Sequence, residues 1–481
     1  MKPSTKAMWW RIVALLSVVS MVLAACGSPL EPGALVEANA ADTAATAEAP
    51  TASAASSTPP PSANASPGRP RELVYNQEIG GTIDFWHFWG STLRRDAIRS
   101  VIALCKQKLP NITVNETFKP FGDIWTANIA AVSSGSGMPD VIVEDRPKLP
   151  DRAINGIAQP ISNFAERDGL DDSQFWPFTW EQTIYEGQSY GVPFETDVRV
   201  LYYNKTAFKE AGLDPDKPPQ TWDDLVQYAD KLDKKNATGG YERIAFFPLI
   251  NMGPDVWGYT NGVEWMTKDG LPQINTPQAV ETMAWIKTWV DRYGGWPKIQ
   301  AFRASFQAPP KDAFMSGRVA MFVDINGYSS QLNLFDPQIT TPDGKVQDLE
   351  WGVTHLPYKV KRGSWSGGFA LSIPRGAKNP DTAWEFIKCA TSREAQTSWA
   401  SDTRSMPAHQ QAANDPVLLA DPHWQLFVDA MSYSNGSVFV PKYANWMEQL
   451  DMRYEQIWRG ELEPGIALEQ AQQIVEQELS K

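Results

Sequence analysis

A chain of 481 residues is longer than the size at which single hydrophobic cores stop growing, so the sequence predicts at least two domains. Its net charge of −13 argues against nucleic-acid binding, which requires a basic face. A content of 42% apolar and 21% charged residues is typical of a globular protein, and the 20 tryptophans suit a large core or a site that stacks flat apolar faces.

The first 25 residues carry an export signal. Lys2, Lys6 and Arg11 form a positively charged start, and residues 12–23 are mostly apolar. This apolar run is short for a transmembrane helix, which is the alternative interpretation. The next residues, Leu-Ala-Ala-Cys, match the lipobox of bacterial lipoprotein signal peptides. We therefore expect cleavage after residue 25, a lipid on Cys26, and anchoring at the extracytoplasmic face of the cell membrane.

Residues 26–70 are predicted to be a lipidated cysteine followed by a disordered linker. The segment consists mainly of Ala, Ser, Thr and Pro, and therefore has too few aromatic and branched apolar side chains to form a core. A random coil of about 44 residues has a root-mean-square reach on the order of 35–40 Å. We expect folded structure from about Glu72.

A strand that ends in aromatic side chains begins the predicted fold. Residues 81–90, Gly-Thr-Ile-Asp-Phe-Trp-His-Phe-Trp-Gly, have the pattern of a strand, and a helix follows to about Lys108. Ligands of doubly wound sheets bind beyond the carboxyl ends of the strands, where His87 and Trp89 stand. We expect Trp89 in such a cleft and Trp86, on the opposite face of the strand, in the core.

A second buried strand ends in two carboxylates. Residues 138–145, Met-Pro-Asp-Val-Ile-Val-Glu-Asp, place Glu144 and Asp145 at the end of an apolar run. These side chains could accept hydrogen bonds from ligand hydroxyl groups, or they could cap the turn that follows. The sequence leaves both roles open.

The rest of the chain is organised around residues 187–225. A β-rich run over residues 198–203 is followed by a short helix, and Gly212 suits the left-handed turn after it. Thr221 and Asp224 have the spacing of a capping box at the start of the next helix.

Four pieces of this stretch occur together in the order YGVPF, LYYNK, FKEAGLDP and PPQTWDDL. Their order and spacing resemble the central signature of the family 1 extracellular solute-binding proteins, the sugar-capturing subunits of ABC importers. The resemblance implies an α/β fold of the type II periplasmic-binding-protein kind, in which two lobes, each a mixed sheet flanked by helices, enclose a ligand cleft. It places the lobes at residues 71–196 with 369–402, and 197–368 with 403–481.

The resemblance also implies which residues bind the ligand. An acidic residue where the chain first crosses between lobes commonly binds a sugar hydroxyl in this family, and Asp197 fits that position better than Glu195. Trp257 stands in a predicted loop and is expected to be a stacking platform. Besides His87, Trp89, Glu144 and Asp145, the remaining expected cleft residues are Asp324, Asn326, Tyr328, Trp365, Gly367, Gly368 and Arg404.

Two cysteines remain if Cys26 carries lipid. Cys105 and Cys389 fall on predicted helices that the family places in one lobe. Disulfides persist in exported proteins, but cysteine also packs as a small apolar residue. A disulfide and two buried thiols are therefore both open.

The sequence favours a binding protein over an enzyme. Its four histidines are far apart in sequence and form no HExxH motif, its cysteines form no metal pattern, and no phosphate-binding glycine loop follows a strand. A glycoside hydrolase that uses Glu195 and Asp197 as paired carboxylates is the enzymatic alternative. A surface adhesin would explain the lipid anchor but not the importer-like signature.

The expected protein is thus a membrane-anchored, monomeric receptor that passes a sugar or oligosaccharide to an ABC permease and needs no cofactor or metal. Another polar solute, such as a glycerol phosphodiester, stays open. A phosphate group would require arginine or lysine in the cleft, for which Arg199 and Arg404 are the candidates.

Overall fold

The structure, a computed structural model, describes residues 73–340, 344–437, 439–440, 443 and 446–481. The predicted signal peptide, the lipidation at Cys26 and the linker to residue 70 lie outside the described residues. Among the helices that the structure describes, none is both long enough and apolar enough to cross a membrane.

Eleven strands of the described residues form two large sheets. They are, in chain order, β1 (Gly81–His87), β2 (Ile112–Phe118), β3 (Val141–Asp145), β4 (Val192–Thr196), β5 (Arg199–Asn204), β6 (Lys234–Lys235), β7 (Tyr241–Phe246), β8 (Val319–Ile325), β9 (Trp351–Thr354), β10 (Gly368–Ser372) and β11 (Met406–Pro407). Three two-stranded pairs add to them: Ile184–Tyr185 with Gln188–Ser189, Gln338–Thr340 with Val346–Asp348, and Ser364–Ser366 with Ser434–Gly436.

Helices cover both sheets. They are α1 (Thr92–Lys108), α2 (Asp123–Ser134), α3 (Leu149–Ile154), α4 (Ser162–Asp168), α5 (Pro177–Glu181), α6 (Lys205–Glu210), α7 (Trp222–Leu232), α8 (Asp255–Thr260), α9 (Pro277–Arg292), α10 (Trp296–Arg303), α11 (Tyr328–Phe335), α12 (Pro380–Ala390), α13 (Arg393–Thr403), α14 (Gln410–Ala413), α15 (Pro416–Leu419), α16 (Trp424–Met431), α17 (Met447–Arg459) and α18 (Pro464–Leu479).

The first sheet has the strand order β11-β4-β10-β3-β1-β2 and the second the order β9-β5-β8-β7-β6. Both are mixed: β1 is parallel to β2 and β3, β8 is parallel to β7, and β10 and β5 are antiparallel to their neighbours. This arrangement agrees with the predicted two-lobe α/β fold. Because β11 pairs with β4, the chain leaves the first sheet after Pro407, later than the predicted boundary at residue 403.

Local sequence signals explain where the elements begin. Thr221 Oγ1 accepts from Asp224 N at 3.1 Å and Asp224 Oδ2 accepts from Thr221 N at 2.9 Å, so the predicted capping box is confirmed. In β1 the alternation buries Phe85 and His87 on one face. Trp86, predicted in the core, is half-buried under Lys119 Nζ, which lies 4.0 Å from its ring centroid.

Each sheet has a hydrophobic core of its own. In the first core the structure joins Cys105 of α1 to Cys389 of α12 in a disulfide, with 5.7 Å between the Cα atoms. The sequence had left a bridge and two free thiols open. The bridge ties the start of the fold to a segment 284 residues later.

Replacing both cysteines by serine should destabilise this lobe. In the chain-entropy model, losing a cross-link over 284 residues lowers the free energy of unfolding by about 5 kcal/mol, and burying two serine hydroxyl groups lowers it further. Urea unfolding of the parent and the double variant, each with and without reductant, measures the change. Reductant should affect only the parent. Free thiols at Cys105 and Cys389 in denatured, unreduced protein would contradict the expectation.

Candidate ligand-binding site

Two short crossovers between the sheets meet at one place. β4 ends at Thr196 and β5 begins at Arg199, so two residues connect the sheets, and the chain returns through Gly367 just before β10. Thr196 Oγ1 lies 2.7 Å from Ser366 Oγ, and Gly367 N donates to Asp197 Oδ1 at 3.0 Å. We call these two segments the crossover site: residues 196–199 and 364–368.

One buried guanidinium holds the two crossovers together. Arg146, directly after β3, has no solvent exposure. Its Nη2 donates to Gly367 O at 2.6 Å and to Thr196 Oγ1 at 3.4 Å, and its Nη1 donates to Glu195 O at 3.4 Å. Its Nε donates to Gln182 Oε1 at 2.8 Å. Burial lowers the pKa of Arg146 to about 9, so the group stays protonated at neutral pH.

Gly368 permits this close approach. Its φ of +128° is a backbone conformation that side-chain-bearing residues rarely adopt. A Cβ atom at this position would lie 2.7 Å from Thr196 Cα and 2.8 Å from Arg146 Nη1. Gly368, which was predicted as a cleft residue, is therefore a position where the two crossovers approach too closely for a side chain.

Asp197, Arg199 and Trp365 form a polar and aromatic group at the crossovers. Arg199 makes an ion pair with Asp197, and its guanidinium carbon lies 4.1 Å from the centroid of the Trp365 ring. All three side chains are partly exposed. Burial lowers the pKa of Arg199 to about 10, against the opposing effect of the Asp324 and Asp255 charges.

Asp324 lies at the end of β8, beside this group. Its Oδ2 accepts from Asn251 Nδ2 at 3.0 Å, and its Oδ1 accepts from the Ile325 backbone N–H at 2.7 Å. Burial raises the pKa of Asp324 to about 6. The side chain is partly exposed and so can still accept a hydrogen bond from a ligand.

Asn326 and Tyr328 were predicted to face the cleft, but both are buried and bonded within the protein. Asn326 is 0% exposed; its Oδ1 accepts from Val198 N at 3.1 Å and its Nδ2 donates to Arg404 O at 2.7 Å. Tyr328 is 4% exposed and its hydroxyl donates to Asp312 Oδ2 at 2.9 Å. These partners give Asn326 a structural role, whereas Tyr328 also lines a cavity of the second lobe.

The cleft prediction for Trp89 is wrong. The indole is 1% exposed and packs on Phe194 and Trp399, with ring centroids 5.4 and 4.6 Å away. Its Nε1 donates to Glu195 Oε1 at 3.0 Å, while Trp399 Nε1 donates to Glu195 Oε2 at 2.9 Å. Burial of the ring is favoured because its N–H finds a partner. Glu195 is 3% exposed, and both of its carboxylate oxygens accept these indole hydrogen bonds, so the group is not available to a ligand.

The prediction for Trp257 is also wrong. Gly-Pro-Asp suggested a loop, but Pro254 is the N-terminal cap of α8, and Trp257 lies inside that helix with no exposure. Its Nε1 donates to Pro248 O at 2.9 Å, and its ring meets Phe246 edge-on at 5.4 Å between centroids. The ring fills the second core.

His87 and Glu144 are likewise too buried to meet a ligand. His87 is 1% exposed and stacks on Trp89 at 5.5 Å, and burial lowers its pKa to about 4. Glu144, also 1% exposed, accepts from Asn128 Nδ2 at 3.3 Å and lies 3.4 Å from Arg152 Nε. Burial raises the pKa of Glu144 to about 7.

Asp145 and Arg404 keep partial exposure. Asp145 is the last residue of β3, directly before Arg146, and burial raises its pKa. Arg404 has a left-handed backbone with φ +57°, and its Nε lies 3.7 Å from Asp421 Oδ2. Both can contribute polar contacts near the crossover site.

An aromatic cluster that the sequence analysis missed follows the ends of β1 and β2. The Phe88 ring lies 4.6 Å from Phe369 and 5.2 Å from Phe121, and Phe121 lies 4.9 Å from Trp125. Phe121 is 65% exposed, which is unusual for so large an apolar side chain. Phe369 follows Gly368 directly and pairs with Asp145, so the cluster adjoins the crossover site. In the sequence, this aromatic cluster is indicated by phenylalanine next to glycine, at Phe121-Gly122 and at Gly368-Phe369.

The site thus combines hydrogen-bonding groups with exposed aromatic surface. Asp145, Asp197 and Asp324 supply acceptors, and Trp365 and Phe121 supply flat apolar faces. Such a set can hold a polyhydroxylated molecule, whose hydroxyl groups need partners and whose C–H faces need apolar contact. Among the residues that the structure describes, no cluster of three or more His, Cys, Asp or Glu side chains is placed to hold a metal ion.

Trp89→Phe should lower the free energy of unfolding by about 1–3 kcal/mol, because it removes one donor from the buried Glu195 carboxylate. Phe121→Leu is the control: at 65% exposure its effect should stay within about 0.5 kcal/mol. Chemical unfolding compares both variants with the parent. Equal stability of Trp89→Phe and the parent would show that Glu195 does not depend on this indole.

Similar proteins share this architecture. The family model for bacterial extracellular solute-binding proteins matches residues 100–426, more than half of the chain. The sn-glycerol-3-phosphate-binding periplasmic protein of Shigella dysenteriae is 33% identical over 71% of this chain and 77% of its own length. A putative binding protein of Brucella abortus is 23% identical over 75% of this chain and 84% of its own length.

Solved structures agree. The protein CpMnBP1 with mannotriose bound has a TM-score of 0.69 and 25% identity, covering 82% of this chain and 99% of its own. A Thermotoga lettingae ABC transporter solute-binding protein bound to α-D-tagatose has a TM-score of 0.66 and 25% identity, covering 83% of this chain and 99% of its own. The sugar-binding protein MalE of Xanthomonas citri, at 20% identity and TM-score 0.68, covers 83% of this chain and 98% of its own and shows the same two-lobe fold. These matches confirm the predicted family and fold: the chain belongs to the bacterial extracellular solute-binding proteins of the ABC importer type.

Proposed function

We propose that this protein captures a saccharide between its two lobes and delivers it to an ABC permease. The observation that carries the proposal is the crossover site, where Asp197 and Trp365 stand on the two segments that join the sheets. A ligand held there touches both lobes. Its binding therefore favours the closed arrangement by its differential affinity for that state.

The charges at the site favour a saccharide over a phosphate-bearing ligand. Arg199 and Arg404 are the two arginines predicted as candidates for binding a phosphate. Arg199 forms an ion pair with Asp197, and Arg404 Nε lies 3.7 Å from Asp421 Oδ2. Arg146 is fully buried and directs its donors to carbonyl, hydroxyl and amide oxygens of the protein. A phosphate would have to compete with these partners, whereas hydroxyl groups can share them.

A phosphorylated polyol, such as a glycerol phosphodiester, is the second candidate ligand. The observation that favours it is the 33% identity to a relative named for sn-glycerol-3-phosphate binding. The mannotriose-bound neighbour favours the saccharide. Direct comparison of the two ligand classes decides between them.

The geometry also favours binding over hydrolysis. A glycoside hydrolase with Glu195 and Asp197 as its carboxylate pair would need both groups at the substrate. Glu195 instead accepts hydrogen bonds from Trp89 and Trp399 and is 3% exposed. The predicted pair is therefore not arranged for acid–base chemistry.

The location and the partners of the protein belong to the same proposal. A lipid on Cys26 would anchor the protein at the cell membrane, where its permease lies, and the segment to residue 70 would act as the tether. The protein would act as a monomer. Metabolic labelling with a fatty acid tests the anchor, and Cys26→Ala should abolish the label.

Thermal shift against a panel of mono- and oligosaccharides and glycerol 3-phosphate should identify saccharide ligands. A ligand present at 100 times its dissociation constant adds about 2.7 kcal/mol to the free energy of unfolding. Asp197→Asn should then weaken binding by about tenfold, because it removes the charge that holds Arg199 and replaces one of the two acceptor oxygens by a donor, while the other oxygen can still accept from Gly367 N.

Asp223→Asn is the matched control, since Asp223 is exposed on α7 far along the chain from both crossovers. Parent-like affinity of Asp197→Asn would reject its role at the site. Stabilisation by glycerol 3-phosphate alone would favour the second candidate, and reducing ends released from an oligosaccharide would favour a hydrolase.

A further inference from the structure

A polar cavity lies in the second lobe, on the strand next to the first crossover. It has a volume of about 600 Å³, within the usual range for small-molecule sites, and lies between α10, α11 and the end of β8. Asp324 connects the two places: it lines the cavity, and on the neighbouring strand it pairs with Val200, directly after Arg199 of the crossover site. A ligand bound at the crossovers can therefore extend into this cavity.

Amide side chains dominate the polar lining. Asn251, Gln300 and Gln331 all line the cavity, and each can both donate and accept hydrogen bonds. Phe306 adds an apolar ring to the same wall. Paired donors and acceptors beside an aromatic surface match the alternating hydroxyl and C–H groups of a sugar ring.

Arg303 is the distinctive group of the cavity. It ends α10, and its Nη1 donates to Gln300 Oε1 at 3.2 Å. Among the described residues, no carboxylate lies within ion-pair distance of Arg303, unlike Arg199 and Arg404 at the crossover site. The guanidinium therefore has N–H groups that can donate hydrogen bonds to a ligand.

The charge of the described lining disfavours an anion. Arg303 is opposed by two carboxylates, Asp312 and Asp324, on the same cavity. Asp312 is fixed by the Phe314 and Met315 backbone N–H groups, at 2.8 Å each, so it cannot turn away. A phosphate or carboxylate would meet a net negative wall, whereas a neutral hydroxyl group can use both the arginine and the carboxylates.

We propose that this cavity is a second subsite, which binds a further neutral sugar unit through Arg303, Gln331 and the neighbouring amides. The subsite rests on the proposed function and narrows it: the ligand is an oligosaccharide that reaches from the crossover site into the cavity, and a monosaccharide fills only part of the available space.

Isothermal titration of the full-length protein with mannose, mannobiose and mannotriose, and with glucose, maltose and maltotriose, tests the subsite. In the series that binds, Arg303→Ala should weaken the affinity for the oligosaccharides about tenfold and leave the affinity for the monosaccharide unchanged. Gln331→Ala, an exposed position on α11, should give a smaller loss of the same kind without disturbing the fold. Lys298→Ala is the matched control, since it removes a positive charge from the same helix outside the cavity lining.

The outcomes separate the two proposals. If Arg303→Ala weakens the affinity for saccharides of every chain length by the same factor, or weakens none of them, the subsite is wrong. The proposed role as a saccharide receptor is then unaffected. Absence of binding by any sugar of both series overturns both. Binding of glycerol 3-phosphate that Arg303→Ala abolishes would show that the cavity accepts an oxyanion and would overturn the neutral-unit assignment.

Discussion

The guanidinium of Arg146 is the interaction on which the arrangement of this molecule depends. It donates to Gly367 O at 2.6 Å on one crossover and to Glu195 O at 3.4 Å beside the other. A fully buried charge is costly unless its donors are satisfied, so the backbone carbonyls must stay where the guanidinium can reach them. Together with the pairing of Thr196 and Gly368 in the first sheet, these bonds hold the two segments that join the lobes beside each other.

This constraint holds two of the proposed binding residues near each other, since each lies on one of the crossovers. Asp197 and Trp365 stay partly exposed on these segments, whereas Val198 is buried in the second core. In the proposed function, closure about the crossovers would move the second lobe, with Asp324 and the cavity at Arg303, relative to the aromatic cluster around Phe121. A ligand that bridges these surfaces gains contacts only in the closed state, and this difference is what a receptor needs to signal occupancy to a permease.

Much of the fold could be predicted because its signals are local. The capping box of Thr221 and Asp224 and the four-piece motif of residues 187–225 fixed the family and the first crossover. The site was harder to predict, since strand ends do not reveal which way an indole turns. Trp89 lies at a predicted ligand edge, yet its N–H reaches the buried Glu195, a partner 106 residues away. Arg146 and Arg303 could not be predicted for the same reason. Arg146 matters because folding brings distant acceptors to it, and Arg303 matters because, among the described residues, folding brings no carboxylate within ion-pair distance of it.

We propose that the two lobes close about the crossovers when ligand binds. Small-angle X-ray scattering of the purified protein, with and without a saturating saccharide from the panel, measures this most directly. We expect a smaller radius of gyration with ligand in the parent. In Arg146→Met, which has an unbranched side chain but no donor to the crossovers, we expect a smaller change or none. An unchanged radius of gyration in the parent at proven saturation would contradict it.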